Sequence, residues 1–259
     1  MKFAPAQITL AALIALSGSA FAQTAAPAAE PVDPISYNIS AVSNYKYRGQ
    51  DQDTSKTNGF KPALQGGVDY ANPNGFYVGN WNSTVNFKDP KSNTANLEVD
   101  LYGGYKFPLG DFGMDVGALA YIYPGATAAN TTEIYAAASY GPVTAKYSNT
   151  VSKGYFGTGY LNSNGRNTGY FNLAFAQEIM PKVTLKASVG STMFTSAAKT
   201  VDGMVNYTDY SVGASYDLGD GMSFTGSYVG ANKLNSYKFP SSTASINKGT
   251  FIAMITKAI

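Results

Sequence analysis

The sequence predicts an all-β protein, a transmembrane antiparallel β-barrel of about twelve strands with short periplasmic turns and longer extracellular loops. Three observations point there. Polar and apolar residues alternate with period two from Ser36 onward. The connections between alternating segments are in turn long and short. The N-terminus reads as a secretory signal. Composition agrees. Charged residues are 13 % of the 259, about half the share of an ordinary soluble domain. Their place is taken by Gly, Asn, Ser, Thr and aromatic residues, with 20 Tyr and 14 Phe against a single Trp.

Residues 1–22 form the expected signal peptide. Lys2 is a thin basic start, Ile8 to Leu16 is a mainly apolar stretch, and Ala20-Phe21-Ala22 places small residues at both recognition positions, so cleavage is expected before Gln23. The apolar stretch is too short to span a bilayer as a helix, which needs about 20 residues. Residues 23–35, rich in Ala and Pro, are expected to be a periplasmic tail, and 36–259 the barrel.

The strands follow in order. Tyr37, Ile39 and Ala41, continued by Tyr45 and Tyr47, alternate with Ser36, Asn38, Ser40, Asn44, Lys46 and Arg48, which gives a first strand over 36–48. Segments 61–70, 75–86, 95–106, 111–123, 131–140 and 143–152 repeat the pattern, with Leu97, Val99 and Leu101 set against Glu98 and Asp100. The remaining strands are 168–177, 182–192, 205–217, 221–232 and 249–258. Short connections carry turn residues, such as Ala71-Asn72-Pro73-Asn74 and Gly141-Pro142. Long ones cover 49–60, 87–94, 124–130, 153–167, 193–204 and 233–248. An even number of strands places both termini on the periplasmic side. Gly49 is expected to let the chain leave the first strand at a rim bend or bulge. The pairs Gly66-Gly67 and Gly103-Gly104 are expected to permit barrel bending, or else to widen the lumen.

A soluble barrel would alternate too, with its apolar face inward, and periodicity does not say which face points where. Strand length favours the membrane version, since most segments run 10–13 residues and a tilted membrane strand needs about 9–11. Aromatic residues near strand ends also favour it, as an interfacial girdle: Tyr45, Tyr47, Phe76, Tyr77, Phe87, Tyr105, Phe112, Tyr123 and Tyr140.

With these motifs in view the chain resembles the TorF-type porins of Gram-negative bacteria. The residues concerned are Ser43-Asn44-Tyr45-Lys46-Tyr47-Arg48-Gly49, Ala63-Leu64-Gln65-Gly66-Gly67-Val68-Asp69-Tyr70, Gly75-Phe76-Tyr77-Val78-Gly79-Asn80-Trp81, Glu98-Val99-Asp100-Leu101-Tyr102-Gly103-Gly104-Tyr105, Tyr121-Ile122-Tyr123-Pro124, Glu133-Ile134-Tyr135 and Lys146-Tyr147-Ser148. The resemblance covers roughly 36–259 and is dense to about Ser148. It implies an outer-membrane barrel and a pore, without a substrate. Barrels of this class tend to end on an aromatic residue read by the barrel-assembly machinery. Here Phe251 and Ile255 are the residues left to carry part of that signal.

The chain has no Cys and no His, which excludes disulfides, Ser-His-Asp and Cys-His catalysis, and His-ligated metals or haem. Net charge is +2 with no basic run, so nucleic acid is not an expected partner. No cofactor and no enzymatic activity are expected. The expected partners are outer-membrane lipid, the barrel-assembly machinery and small polar solutes. The polar strand faces collect Lys46, Arg48, Glu98, Asp100, Lys106, Asp115, Glu133, Lys146, Lys186, Asp209 and Asp217. Of these, Arg48, Glu98, Asp100, Glu133 and Lys146 are the candidate lumen constriction, either as a filter of opposed charges or as a bracing salt-bridge network. The paired carboxylates Glu98 and Asp100 also fit calcium binding or glycoside hydrolysis, which membrane strands seldom support. The expected function is a porin-like channel for passive diffusion of small polar solutes. The alternative is a non-transporting surface or structural barrel whose loops bind a partner. Twelve strands leave a small pore unless loops fold in, and large lumen residues such as Tyr102, Tyr121 and Tyr135 closing it would favour the alternative.

Overall fold

A computed structural model describes residues 34–159 and 163–259; the expected signal peptide and nearly all of the tail lie outside them. The strands are β1 (Ile35–Val42), β2 (Lys46–Tyr47), β3 (Gln50–Asp51), β4 (Ala63–Ala71), β5 (Phe76–Lys88), β6 (Thr94–Leu109), β7 (Phe112–Ile122), β8 (Thr131–Tyr140), β9 (Val143–Thr150), β10 (Gly169–Met180), β11 (Val183–Met193), β12 (Tyr207–Gly219), β13 (Met222–Ala231) and β14 (Thr250–Ala258). β1 and β4–β14 form one closed antiparallel barrel of twelve strands, sealed where β1 pairs with β14 on one side and β4 on the other. The remaining two make a separate small hairpin.

The connections alternate as expected. At one rim they are short: 72–75, 110–111, 141–142, 181–182 and 220–221. The backbone there supplies the positive φ that two-residue hairpin turns require, at Gly110, Gly141, Lys182, Asp220 and Gly221. At the other rim they are long: 43–62, 89–93, 123–130, 151–168, 194–206 and 232–249. These loops hold what little helix there is among the described residues, a 3-10 turn (Thr127–Ala129) and α1 (Ser196–Asp202). The helix starts at Thr195, whose hydroxyl accepts from the Ala198 amide, and ends at left-handed Gly203.

Burial settles which face points where. Ile39 is 51 % exposed and its neighbour Ser40 is 3 %; Leu101 is 49 % exposed and Asp100 is 7 %. The same inversion holds for Leu173 against Asn172 and Val212 against Ser211. Apolar side chains cover the outside and polar ones line the inside, the reverse of a soluble barrel. A continuous apolar exterior of this kind is satisfied by lipid. No helix among the described residues is long and apolar enough to cross a membrane, which says nothing about crossing with strands.

Two expectations are corrected. The first strand ends at Val42 rather than Arg48, because the chain turns inward there instead of continuing along the wall. Tyr45 and Tyr47 are therefore not girdle residues. Nor are Tyr77 on β5 and Tyr123 just past the end of β7, which face inward; all four are buried inside the barrel, with Phe87 half-buried against Tyr123. Phe76, Tyr105, Phe112 and Tyr140 do stand on the exposed face, near the short-turn rim.

Gly104 of the second pair, with Gly79 and Gly117, has a further reason. A Cβ on Gly104 would stand 2.5 Å from Tyr77 Oη, one on Gly117 2.6 Å from Tyr135 Oη, and one on Gly79 2.5 Å from the Tyr102 ring. Inward tyrosines thus lie flat on a neighbouring strand, seated over glycines, and do not project across the lumen.

Candidate functional site: the lumen and its inward hairpin

The lumen has two unlike walls. β4–β8 present Asp69, Tyr77, Trp81, Glu98, Asp100, Tyr102, Asp115, Tyr121, Glu133 and Tyr135, an aromatic and acidic surface. Tyr77 donates to Asp115 Oδ1 at 2.6 Å and shares a hydrogen bond with Tyr135; Tyr102 donates to Asp69 Oδ1 at 2.5 Å. Lys146 lies 3.8 Å from the centre of the Tyr135 ring and Lys106 4.9 Å from that of Tyr77. The opposite wall, β9–β14 with β1, carries hydroxyls and amides, among them Ser40, Thr144, Asn172, Ser211, Thr225 and Thr256. Ser40 and Thr256, cross-strand neighbours, hydrogen-bond at 2.8 Å.

At the long-loop rim this lumen is filled. Val42 and Ala63 are partners on adjacent strands, yet residues 43–62 lie between them: 44–51 fold into the barrel mouth and 55–60 stay exposed at the rim. β2 and β3 form their hairpin there, with Arg48 and Gly49 (φ 46° and 75°) as a two-residue turn of type I′ sense. The hairpin touches wall after wall. Tyr45 packs edge-on to Trp81 of β5 at 5.7 Å and its hydroxyl donates to Glu98 Oε1 of β6 at 3.3 Å. The Tyr47 and Tyr121 hydroxyls meet at 2.5 Å. Arg48 reaches β8, where its two terminal nitrogens donate to Glu133 Oε1 and Oε2 at 3.0 and 2.7 Å. Its guanidinium also donates to the Tyr155 hydroxyl at 3.0 Å and lies 4.0 Å from the Tyr170 ring centre on β10. Gly49 presses on Gly230, Ala231 and Asp209, which belong to β12 and β13. Asp51 binds Lys46 at 3.3 Å and Lys61 at 3.1 Å, and its backbone N–H donates to Ile246 in the last long loop. Phe156 closes the cluster against Tyr47, Tyr121 and Tyr123.

The five sequence-derived constriction residues all face the interior, in different settings. Arg48 and Glu133 form a buried bidentate pair. Arg48 comes from the hairpin, not from a wall strand. Glu98 meets Tyr45, Asp100 Oδ1 has no hydrogen-bond partner, and Lys146 sits on Tyr135 below them. Glu98 and Asp100 share a face as expected, but no metal-holding cluster of three such ligands is found among the described residues. Sequence reading missed Asp51, Lys61, Asp69, Tyr155 and Tyr170. Asp69 sits within one of the motifs quoted above, and Tyr170 on the polar phase of its strand; Asp51 and Tyr155 fall in segments expected to be loops, where periodicity carries no signal, and Lys61 at the edge of the expected strand 61–70.

A barrel with a polar interior and its longest loops at one rim has known counterparts. The chain belongs to a bacterial family of unknown function, Gcw_chp, whose model matches residues 25–259. That family's description assigns no function and does not mention TorF-type porins. Among solved structures, the NanC porin is similar with a TM-score of 0.55 at 10 % identity, over 86 % of this chain and 98 % of that one. The KdgM porin is similar with a TM-score of 0.52 at 7 % identity, over 86 % and 97 %. A second KdgM structure, at 0.50 and 7 % over the same shares, holds disordered oligogalacturonate. At these identities the likeness shows the fold, a porin-type twelve-strand barrel. No curated protein matches the chain.

Proposed function

We propose that the protein is an outer-membrane channel for passive diffusion of small polar solutes, closed at its outer mouth in the conformation described. In this reading the signal peptide is removed before Gln23, the short turns face the periplasm, and the long loops face outward. The observation that carries it is the inverted barrel of twelve strands, apolar outside and polar inside. Outer-membrane lipid and the barrel-assembly machinery are the partners this requires. No catalytic role is proposed.

The solute class follows from the walls once the hairpin, with its Lys46 and Arg48, leaves them. Asp69, Glu98, Asp100, Asp115, Glu133 and Asp209 then face the lumen against Lys106, Lys146 and Lys186. This excess of carboxylates favours neutral or cationic solutes and disfavours acidic chains such as the oligogalacturonate of KdgM. A second reading, a non-transporting barrel whose loops bind a partner, is favoured by the hairpin and by Tyr121, which together fill the mouth. The test is a barrel in which residues 45–60 are replaced by a short Gly-Ser link, reconstituted in liposomes with small sugars outside. The channel reading expects faster swelling than with empty liposomes. A folded link variant that admits no sugar supports the non-transporting reading.

A further inference from the structure

We propose that the β2–β3 hairpin is a displaceable gate, latched to the far wall by the Arg48–Glu133 pair, and that the conducting state forms when this latch opens. The inference rests on the channel reading above and names its regulation.

The latch is strong and local. The hairpin is rooted in β1 and β4, and Glu133 lies five strands round the ring from β1 in one direction and seven in the other. Two parallel charge-assisted hydrogen bonds, at 2.7 and 3.0 Å, hold the tip across that span. Tyr155 and the Tyr170 ring brace the same guanidinium.

The rest of the seat is mixed: Tyr45 and Tyr47 bond Glu98 and Tyr121, while other buried polar atoms are left over. Asn44 Oδ1, Arg48 Nε, Asp100 Oδ1 and Asp209 Oδ2 are buried where hairpin and wall meet, and none has a hydrogen-bond partner within the protein. An unsatisfied buried polar group is unfavourable, and withdrawal of the hairpin would expose these atoms to water. The tip is strained as well. Arg48 holds a left-handed φ of 46°, which a side chain disfavours. Gly49 fits only because it has no Cβ: one would stand 2.5 Å from the Gly230 carbonyl oxygen and 2.8 Å from the Ala231 and Asp209 Cβ atoms. A permanent brace is expected to satisfy its buried polar atoms. Among the described residues Arg48–Glu133 is the one ion pair from hairpin to wall. The other ties, Tyr45 to Glu98, Tyr47 to Tyr121 and the ring contacts, are single hydrogen bonds or packing over a strained tip, so removing the pair shifts the balance of a two-state element toward release. The hairpin also binds the last long loop, through Lys46 Nζ and the Asp51 amide to the Ile246 carbonyl and through Gln50 to Asn247. That loop moves with it or parts from it at neutral acceptors.

The experiment records single-channel open probability in planar bilayers for the mature protein, Arg48→Ala, Glu133→Gln and Gly49→Ala. The link variant is included, and folding of each is verified by heat-modifiable gel mobility. Glu133→Gln keeps shape and removes charge. Gly49→Ala leaves both latch residues in place and pushes the tip off the wall. The gate expects rare openings in the parent and at least a tenfold rise in each folded point variant. Folded point variants as quiet as the parent, beside a conducting link variant, overturn the gate and leave a fixed plug in a channel. A folded link variant that never conducts overturns the channel reading, and the gate with it.

Discussion

An arginine placed on the outside of β11 separates the two faces of this barrel sharply. Val189 is 45 % exposed, lies near the middle of Val183–Met193, and pairs with Leu173 and Tyr210, both of which also face outward. Ser188, one residue earlier, points into the lumen on the hydroxyl wall and pairs with Ala174 and Ser211. A cation on the lipid face at the bilayer midplane costs about 2–4 kcal/mol. Val189→Arg should therefore lower the folding equilibrium constant by roughly 30- to 900-fold, at about 1.4 kcal/mol per factor of ten. Ser188→Arg, in a half-buried polar setting with an acidic wall opposite, should change it by less than about tenfold. Urea titrations in phospholipid vesicles, followed by the mobility difference between folded and unfolded barrel, measure both. Equal losses, or a larger loss for Ser188→Arg, would refute the inverted-barrel reasoning.

Three further outcomes are expected. Gly104→Ala should unseat the Tyr77 ring and destabilise the barrel by about 1–3 kcal/mol, while Gly113→Ala, with nothing within 4 Å of its Cβ, should be near neutral; the same urea titration compares them. The link variant should prefer cations in a salt gradient, because the walls keep more carboxylates than lysines once the hairpin is gone. The preference should weaken at high salt, as the Debye length falls from about 10 Å at 0.1 M to about 3 Å at 1 M, and a reversal potential of anionic sign would contradict it. The mature chain should begin at Gln23, which intact-mass measurement of membrane fractions reads directly.

The walls of the barrel were legible because a half-buried strand writes its faces into every second residue. Leu97, Val99 and Leu101 against Glu98 and Asp100 specify both β6 and its orientation once the medium outside is known. The turns were legible for the same reason, since Gly141-Pro142 cannot continue a strand. The mouth was not. Tyr45, Lys46, Tyr47 and Arg48 prolong the alternation of β1, and period two persists whether a segment stays on the wall or folds back as a hairpin. All four are buried, so the alternation there no longer marks two environments. The nearest sequence signal was Arg48-Gly49, read as a bend; in the fold it is the turn of the inward hairpin. The partners of that hairpin, Glu133, Tyr155 and Tyr170, lie 85 or more residues away from Arg48 and are set by barrel closure. The Tyr–Gly seats escaped notice too, because they join residues on different strands through a register that no single segment contains.

The central claim, that the hairpin lies folded in the mouth of the resting barrel, is tested most directly by amide hydrogen exchange on the mature protein in lipid. Asp51 N–H donates to Ile246 and Gln52 N–H to Tyr45, both at 3.0 Å, whereas residues 55–60 are exposed at the rim. The account predicts that the Asp51 and Gln52 amides exchange far more slowly than those of 55–60, and faster than those of the wall strands. Exchange of Asp51 and Gln52 as fast as that of 55–60 would contradict it.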